Sequence, residues 1–130
     1  MAIDVAAQIR YWREGSTDDL EAANALLDAR KVRQAGFFLH LAVEKAIKAC
    51  VTAMTSDLPP RSHDLLFLIE KTGITVDPSH RDFLARAQVY CLEGRYPAEM
   101  PPVAPLSAVR QDLQEAAEII EWLMNQLSKL

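Results

Sequence analysis

The sequence predicts an all-α protein, an up-and-down bundle of about five helices. Three observations lead there. Apolar residues recur every three or four positions through long segments, no segment shows the alternation of a half-buried strand, and prolines and glycines gather at the breaks between periodic runs. A chain of 130 residues is long enough for one core, and residues 1–130 are read as a single domain.

The first helix is expected from about Ile3 to Arg30, with Ile9, Trp12, Leu20, Ala23 and Leu27 on one face. Ser16 and Asp19 resemble a capping box that would start a fresh helix. The apolar register nevertheless continues across Gly15, which favours one helix weakened by about 1 kcal/mol at the glycine. The second helix, about Val32 to Met54, carries a core stripe of Val32, Ala35, Gly36, Leu39, Val43, Ala46, Ile47 and Cys50. Its opposite side holds Phe37, Phe38 and Leu41 beside Glu44, Lys45 and Lys48. A helix apolar on two sides is buried on two sides, centrally or at a subunit interface, and Gly36 permits a close approach.

Pro59-Pro60 break the chain. Ser62 is then placed to cap a short helix from His63 to Thr72, ended by Gly73. Asp77 before Pro78 marks the start of a fourth helix through Phe83, Leu84, Ala87 and Tyr90 to about Glu93, closed by Gly94. A loop with Pro97, Pro101, Pro102 and Pro105 leads to the last helix, about Leu106 to Ser128. Its seam is Val109, Leu113, Ala116, Ile120, Leu123 and Leu127.

Composition narrows the function classes. Half the residues are hydrophobic and a quarter charged, which is globular. No run approaches the roughly 18 apolar residues of a membrane span, and Met1-Ala2-Ile3-Asp4 lacks the start of a secretory signal. Cys50 and Cys91 fit no metal or redox spacing and read as buried thiols of a cytoplasmic protein. The net charge of −4 argues against a simple nucleic-acid coat. Its distribution is uneven: Arg30, Lys31, Arg33, Lys45 and Lys48 face one acid, Glu44, in an otherwise acidic chain, which allows a local anionic ligand. The sequence holds no glycine-rich phosphate loop, His-Glu-x-x-His or Cys-x-x-Cys, so neither metal nor cofactor is expected.

Candidate site residues follow from residue chemistry. Arg95 and Tyr96 precede Pro97, which pushes Tyr96 toward an extended conformation and sets where both side chains point. Arginine offers a planar fork for phosphate or carboxylate, and tyrosine a stacking face. The commoner arrangement for such a pair is structural, Arg95 bonding helix-end carbonyls while Tyr96 packs. Arg86, Tyr90 and Glu93 share a helix face by spacing and either join the Arg95 site or form a surface pair beside a half-buried tyrosine. His63 stands at a helix start, where backbone amides suit an anion better than a standing imidazolium does; a structural histidine is the commoner case. Lys45 and Lys48 form either a cationic patch or a salt-bridged face, Glu44 being spaced to pair with Lys48.

In this order the pieces resemble the HEPN domain family of small prokaryotic helical proteins. The matching residues are Trp12, Asp19-Leu20 and Ala23, then the run from Phe37-Phe38-Leu39-His40 through Glu44-Lys45-Ala46-Ile47-Lys48-Ala49. His63-Asp64-Leu65, Arg95-Tyr96-Pro97 and the closing helix with Ala116, Ala117, Ile120 and Trp122 complete the set. The resemblance implies a bundle that commonly dimerises and a role beside a minimal nucleotidyltransferase in toxin–antitoxin-like pairs. Many family members are metal-independent ribonucleases whose signature is Arg, four to six residues, then His. Arg95 matches the family's Arg-Tyr-Pro variant, but the last histidine of the chain is His80. Arg33 and His40 are spaced to share a helix side, on the second helix rather than at the family's catalytic position, and read as chance. Arginine alone is no general acid or base at neutral pH.

Two functions from different classes remain. One is a non-catalytic dimeric module binding a nucleotidyltransferase partner and a nucleotide or RNA phosphate. The other is a divergent ribonuclease toxin using Arg95 and Tyr96 with His63 or Tyr90. A purely structural dimer is the third reading, and it predicts that Arg95 is salt-bridged internally.

Overall fold

The computed structural model describes residues 3–93 and 95–130. Met1, Ala2 and Gly94 lie outside the described residues, and with Gly94 the expected stop of the fourth helix. Among the described residues there are five α-helices, two short 3₁₀ turns and no strand.

Helix α1, Val5–Asp28, is continuous across Gly15. Asp4 caps it, accepting from Ala7 N at 3.0 Å. Ser16 opens no new helix. Its hydroxyl is buried and donates to Ala42 O of the next helix at 2.7 Å. A short link turns the chain, with Arg30 N bonded to Leu27 O and Lys31 N to Leu26 O. This is a Schellman closure in which Arg30, at φ 61°, takes the left-handed position usually given to glycine.

Helix α2, Val32–Thr55, runs back along α1 and forms the centre of the bundle. Leu39, Val43, Ala46, Ile47 and Cys50 are fully buried as the stripe predicts. Its second side is covered too: Glu44 and Lys48 are buried, and Phe37, Phe38 and Leu41 are half-buried.

Helix α3, Leu65–Thr72, begins two residues later than expected. The cap is Asp64, which accepts from Phe67 N at 3.2 Å, while the Ser62 hydroxyl accepts from Asp64 N and holds the cap in place. Gly73 closes α3 at φ 72°. Helix α4, Pro78–Ala87, starts as predicted, Asp77 accepting from His80 N at 2.9 Å. It does not reach Glu93 as one helix: it tightens into a 3₁₀ turn at Gln88–Tyr90. A second 3₁₀ turn, Pro97–Glu99, lies in the proline-rich loop, and α5, Leu106–Leu127, closes the bundle against α2. The core is made by Leu27, Leu39, Ile47, Leu65, Leu68, Phe83, Leu84, Ile119 and Leu123.

Gly36 is needed for a close approach, though not by a helix backbone. A Cβ there would lie 2.6 Å from Cδ1 of Tyr90, whose ring rests on the helix.

Candidate functional site

The second buried side of α2 is polar at its centre. Glu44, 3 % exposed, is the hub. Its Oε2 accepts from Lys48 Nζ at 3.0 Å, one helical turn on, and its Oε1 lies 2.9 Å from His63 Nδ1. The other ring nitrogen of His63 is 2.9 Å from Oε2 of Glu93. Both ring nitrogens thus face carboxylates, so His63 bridges two acids rather than standing alone over the α3 amides. Trp12 of α1 covers the Lys48 ammonium, which sits 5.3 Å from the ring centroid.

His40 and Gln88 complete the arrangement. His40, fully buried, donates from Nε2 to the His63 carbonyl at 3.0 Å. Burial depresses its pKa, against the pull of Glu44, and leaves a neutral ring whose Nδ1 has no hydrogen-bond partner among the described residues. The Gln88 amide donates to the same carbonyl at 3.1 Å and accepts from Leu65 N at 2.9 Å. One side chain of the 3₁₀ turn thus fixes the start of α3.

The remaining sequence candidates occupy three other places. Arg86 Nη2 reaches Glu115 at 2.6 Å and Asp112 at 3.2 Å, and those bonds raise its pKa. Tyr90 donates to Asp112 Oδ2 at 2.6 Å; burial first, and then this bond, push the phenol up. Both therefore tie the α4 segment to α5. Glu93 leaves their face, because the 3₁₀ turn breaks the helical register, and goes to His63 instead. Lys45 pairs with Asp19 at 2.7 Å and Lys48 with Glu44, so the two lysines form no free cationic patch. Arg33 and His40 bond different carbonyls, Pro101 O and His63 O.

Arg95 and Tyr96 form the exposed end. As the structural arrangement expects of it, the Arg95 guanidinium bonds backbone carbonyls, donating from Nε to Cys91 O at the end of the 3₁₀ turn at 2.9 Å and from Nη1 to Glu99 O at 3.3 Å. No carboxylate of the described residues lies within ion-pair distance of it, so the internal salt bridge that a purely structural role predicts is not formed there. Tyr96 is extended, φ −79° and ψ 158°, as the following proline requires, and its side chain does not pack: the residue is 73 % exposed. This end adjoins the buried network at Cys91. Its thiol is raised, first by burial; a backbone hydrogen bond at Glu93 opposes this, the Glu44 and Glu93 carboxylates add to it, and Arg95 opposes it more weakly.

Sequence reasoning named His63, Lys48 and the Glu44–Lys48 spacing. It did not join them to His40, Gln88 and Glu93. The available signal was His40 one turn before Glu44, in helical register with Glu44 and Lys48.

Among the described residues no helix is long and apolar enough to cross a membrane, and no cluster of three metal-ligating side chains occurs. Fold and site together define a helical-bundle domain with a buried acid–histidine–lysine network beside an exposed Arg-Tyr-Pro loop. The chain belongs to the HEPN family: the HEPN domain model matches residues 9–128. Its fold is similar to the crystal structure of an archaeal HEPN homologue, with a TM-score of 0.69 at 18 % identity, covering 92 % of this chain and 97 % of that one. No curated protein sequence matches the chain.

Proposed function

We propose that this HEPN protein is a dimeric, cytoplasmic binding module that takes a nucleotide or RNA phosphate at Arg95 and Tyr96. It would act beside a minimal nucleotidyltransferase as half of a toxin–antitoxin-like pair. The observation that carries the binding reading is the state of Arg95. Its guanidinium is oriented by two neutral carbonyls, so its direction is set while its charge is left for an anion. Tyr96 presents an open ring beside it, suited to stacking on a base.

The acid–base candidates are already engaged, which favours binding over cleavage. The ring nitrogens of His63 face Glu44 and Glu93, and the Tyr90 phenol is bound to Asp112. The partnership and the dimer rest on the family's habits and on the exposed apolar residues Tyr11, Met54 and Leu58.

Calorimetric titration with ATP and with a short RNA tests the site. Arg95→Ala is expected to weaken binding by about tenfold or more, the scale of a lost charge-assisted contact, and Tyr96→Ala to weaken it less. Co-purification with the product of the neighbouring gene tests the partnership. A lone monomer with neither a partner nor nucleotide affinity overturns the reading. The ribonuclease alternative draws on His63, whose side chain is 42 % exposed. Metal-free RNA cleavage abolished by Arg95→Ala would establish that alternative instead.

A further inference from the structure

A cavity lies between α2, the 3₁₀ turn after α4 and the proline-rich loop. Its volume is about 180 Å³. The walls are almost wholly apolar: Val32 of α2, Val89, Leu92, Val103 and Val109, with the Tyr90 ring against Gly36 at one side. Val89 and Val103 are 48 % and 54 % exposed, so the mouth leaves large apolar side chains in water.

One charge stands on this wall. Arg33 Nη2 donates to Pro101 O at 2.9 Å, which pins the guanidinium to the loop. No carboxylate of the described residues is within ion-pair distance of it. The chain carries 18 acidic side chains against 14 basic ones, yet none of the described acids pairs with this cation.

We propose that this cavity is a binding site for a small hydrophobic carboxylate, an aryl or branched-alkyl acid of single-ring size. Volume sets the body of the ligand: a dry apolar cavity of roughly 150 Å³ accepts a benzene ring, and a drug-sized or nucleotide ligand needs more. Charge sets the head group. A carboxylate beside the ring meets the Arg33 fork, the planar geometry that guanidinium recognises best. The Tyr90 hydroxyl is already spent on Asp112 and adds nothing to the head group, so Arg33 is the residue that selects an acid over its neutral analogue. The site does not depend on the Arg95 reading, and each has its own ligand and its own variant.

The test is titration of the full chain with phenylacetate, with benzyl alcohol as the neutral body and acetate as the bare head group, followed by heteronuclear NMR. Phenylacetate is expected to shift the resonances of Val89, Val103 and Val109 saturably and to bind at least tenfold more tightly than either control. Arg33→Gln removes that preference, leaving phenylacetate no better than benzyl alcohol. Val89→Trp, at an exposed position where a larger side chain fills the mouth, abolishes binding without unfolding the protein. The proposal is overturned if phenylacetate shows no saturable binding. It is overturned equally if acid and alcohol bind alike in the unaltered protein, or if Arg33→Gln keeps the preference.

Discussion

Glu44 and His63 are nineteen residues apart in sequence and 2.9 Å apart in space, and their contact fastens the link between α2 and α3 onto the middle of the bundle. The same carboxylate holds Lys48, so a single buried acid joins the Lys48 ammonium and the His63 ring, which come from different segments. Ion pairs in such surroundings are costly to split, because the partner left behind keeps its charge without solvent.

Glu44→Ala is therefore expected to destabilise the protein by about 3 kcal/mol or more. Urea denaturation measures it. The double variant Glu44→Leu, Lys48→Met, which removes both buried charges, should lose much less than the sum of the two single changes. Full additivity would mean that the two groups do not depend on each other.

Stability should also depend on pH through His40. Burial lowers its folded pKa below the ordinary histidine value. Above about pH 6.5 the ring is neutral in both folded and unfolded chains and contributes no slope. As pH falls below that value the unfolded chain takes up a proton that folded His40 refuses, and stability declines until the folded pKa is reached. His40→Gln should flatten this acid limb in denaturation curves taken at a series of pH values. An unchanged slope would place its origin elsewhere.

Gly36→Ala sets a methyl group against Tyr90 at a distance real Cβ atoms do not adopt. The ring must move, and its bond to Asp112 moves with it. A loss of about 1–3 kcal/mol is expected, in the range of overpacked cores, and thermal unfolding reads it directly.

The thiols should be silent in the folded protein. Burial raises Cys50 to about 12 and Cys91 in the same direction, and Cys50 Sγ is directed at Leu123 O. Since the thiolate is the reactive form, alkylation near pH 8 should be slow for the native chain and complete in denaturant. Rapid labelling of native Cys91 would show that its segment opens readily.

The long helices were legible because their burial is periodic. Val109, Leu113, Ala116, Ile120 and Leu123 announce α5, and the unbroken register across Gly15 announces one α1. The later start of α3 was less legible, since Ser62 and Asp64 are both good caps and only the folded turn shows that one supports the other. Glu44 and Lys48 read equally well as a solvated pair. Their burial depends on Trp12 from one side and on His63, Gln88 and Glu93 from the other, contacts that no local spacing encodes. The exposed Arg95-Tyr96 end was legible in place, through Pro97, and so was the bonding of Arg95 to backbone carbonyls, whereas the openness of Tyr96 was not.

Apart from Lys45 and Lys48, the candidate groups at both ends of the site come from the stretch between α2 and α5, which carries His63, Arg86, Tyr90, Arg95 and Tyr96. The three long rods that flank it carry most of the structural burden. Preference at the Arg95–Tyr96 end can therefore drift, or be redesigned, within this one interval while the rods keep their sequence, whereas a change at the Arg33 cavity also has to alter α2.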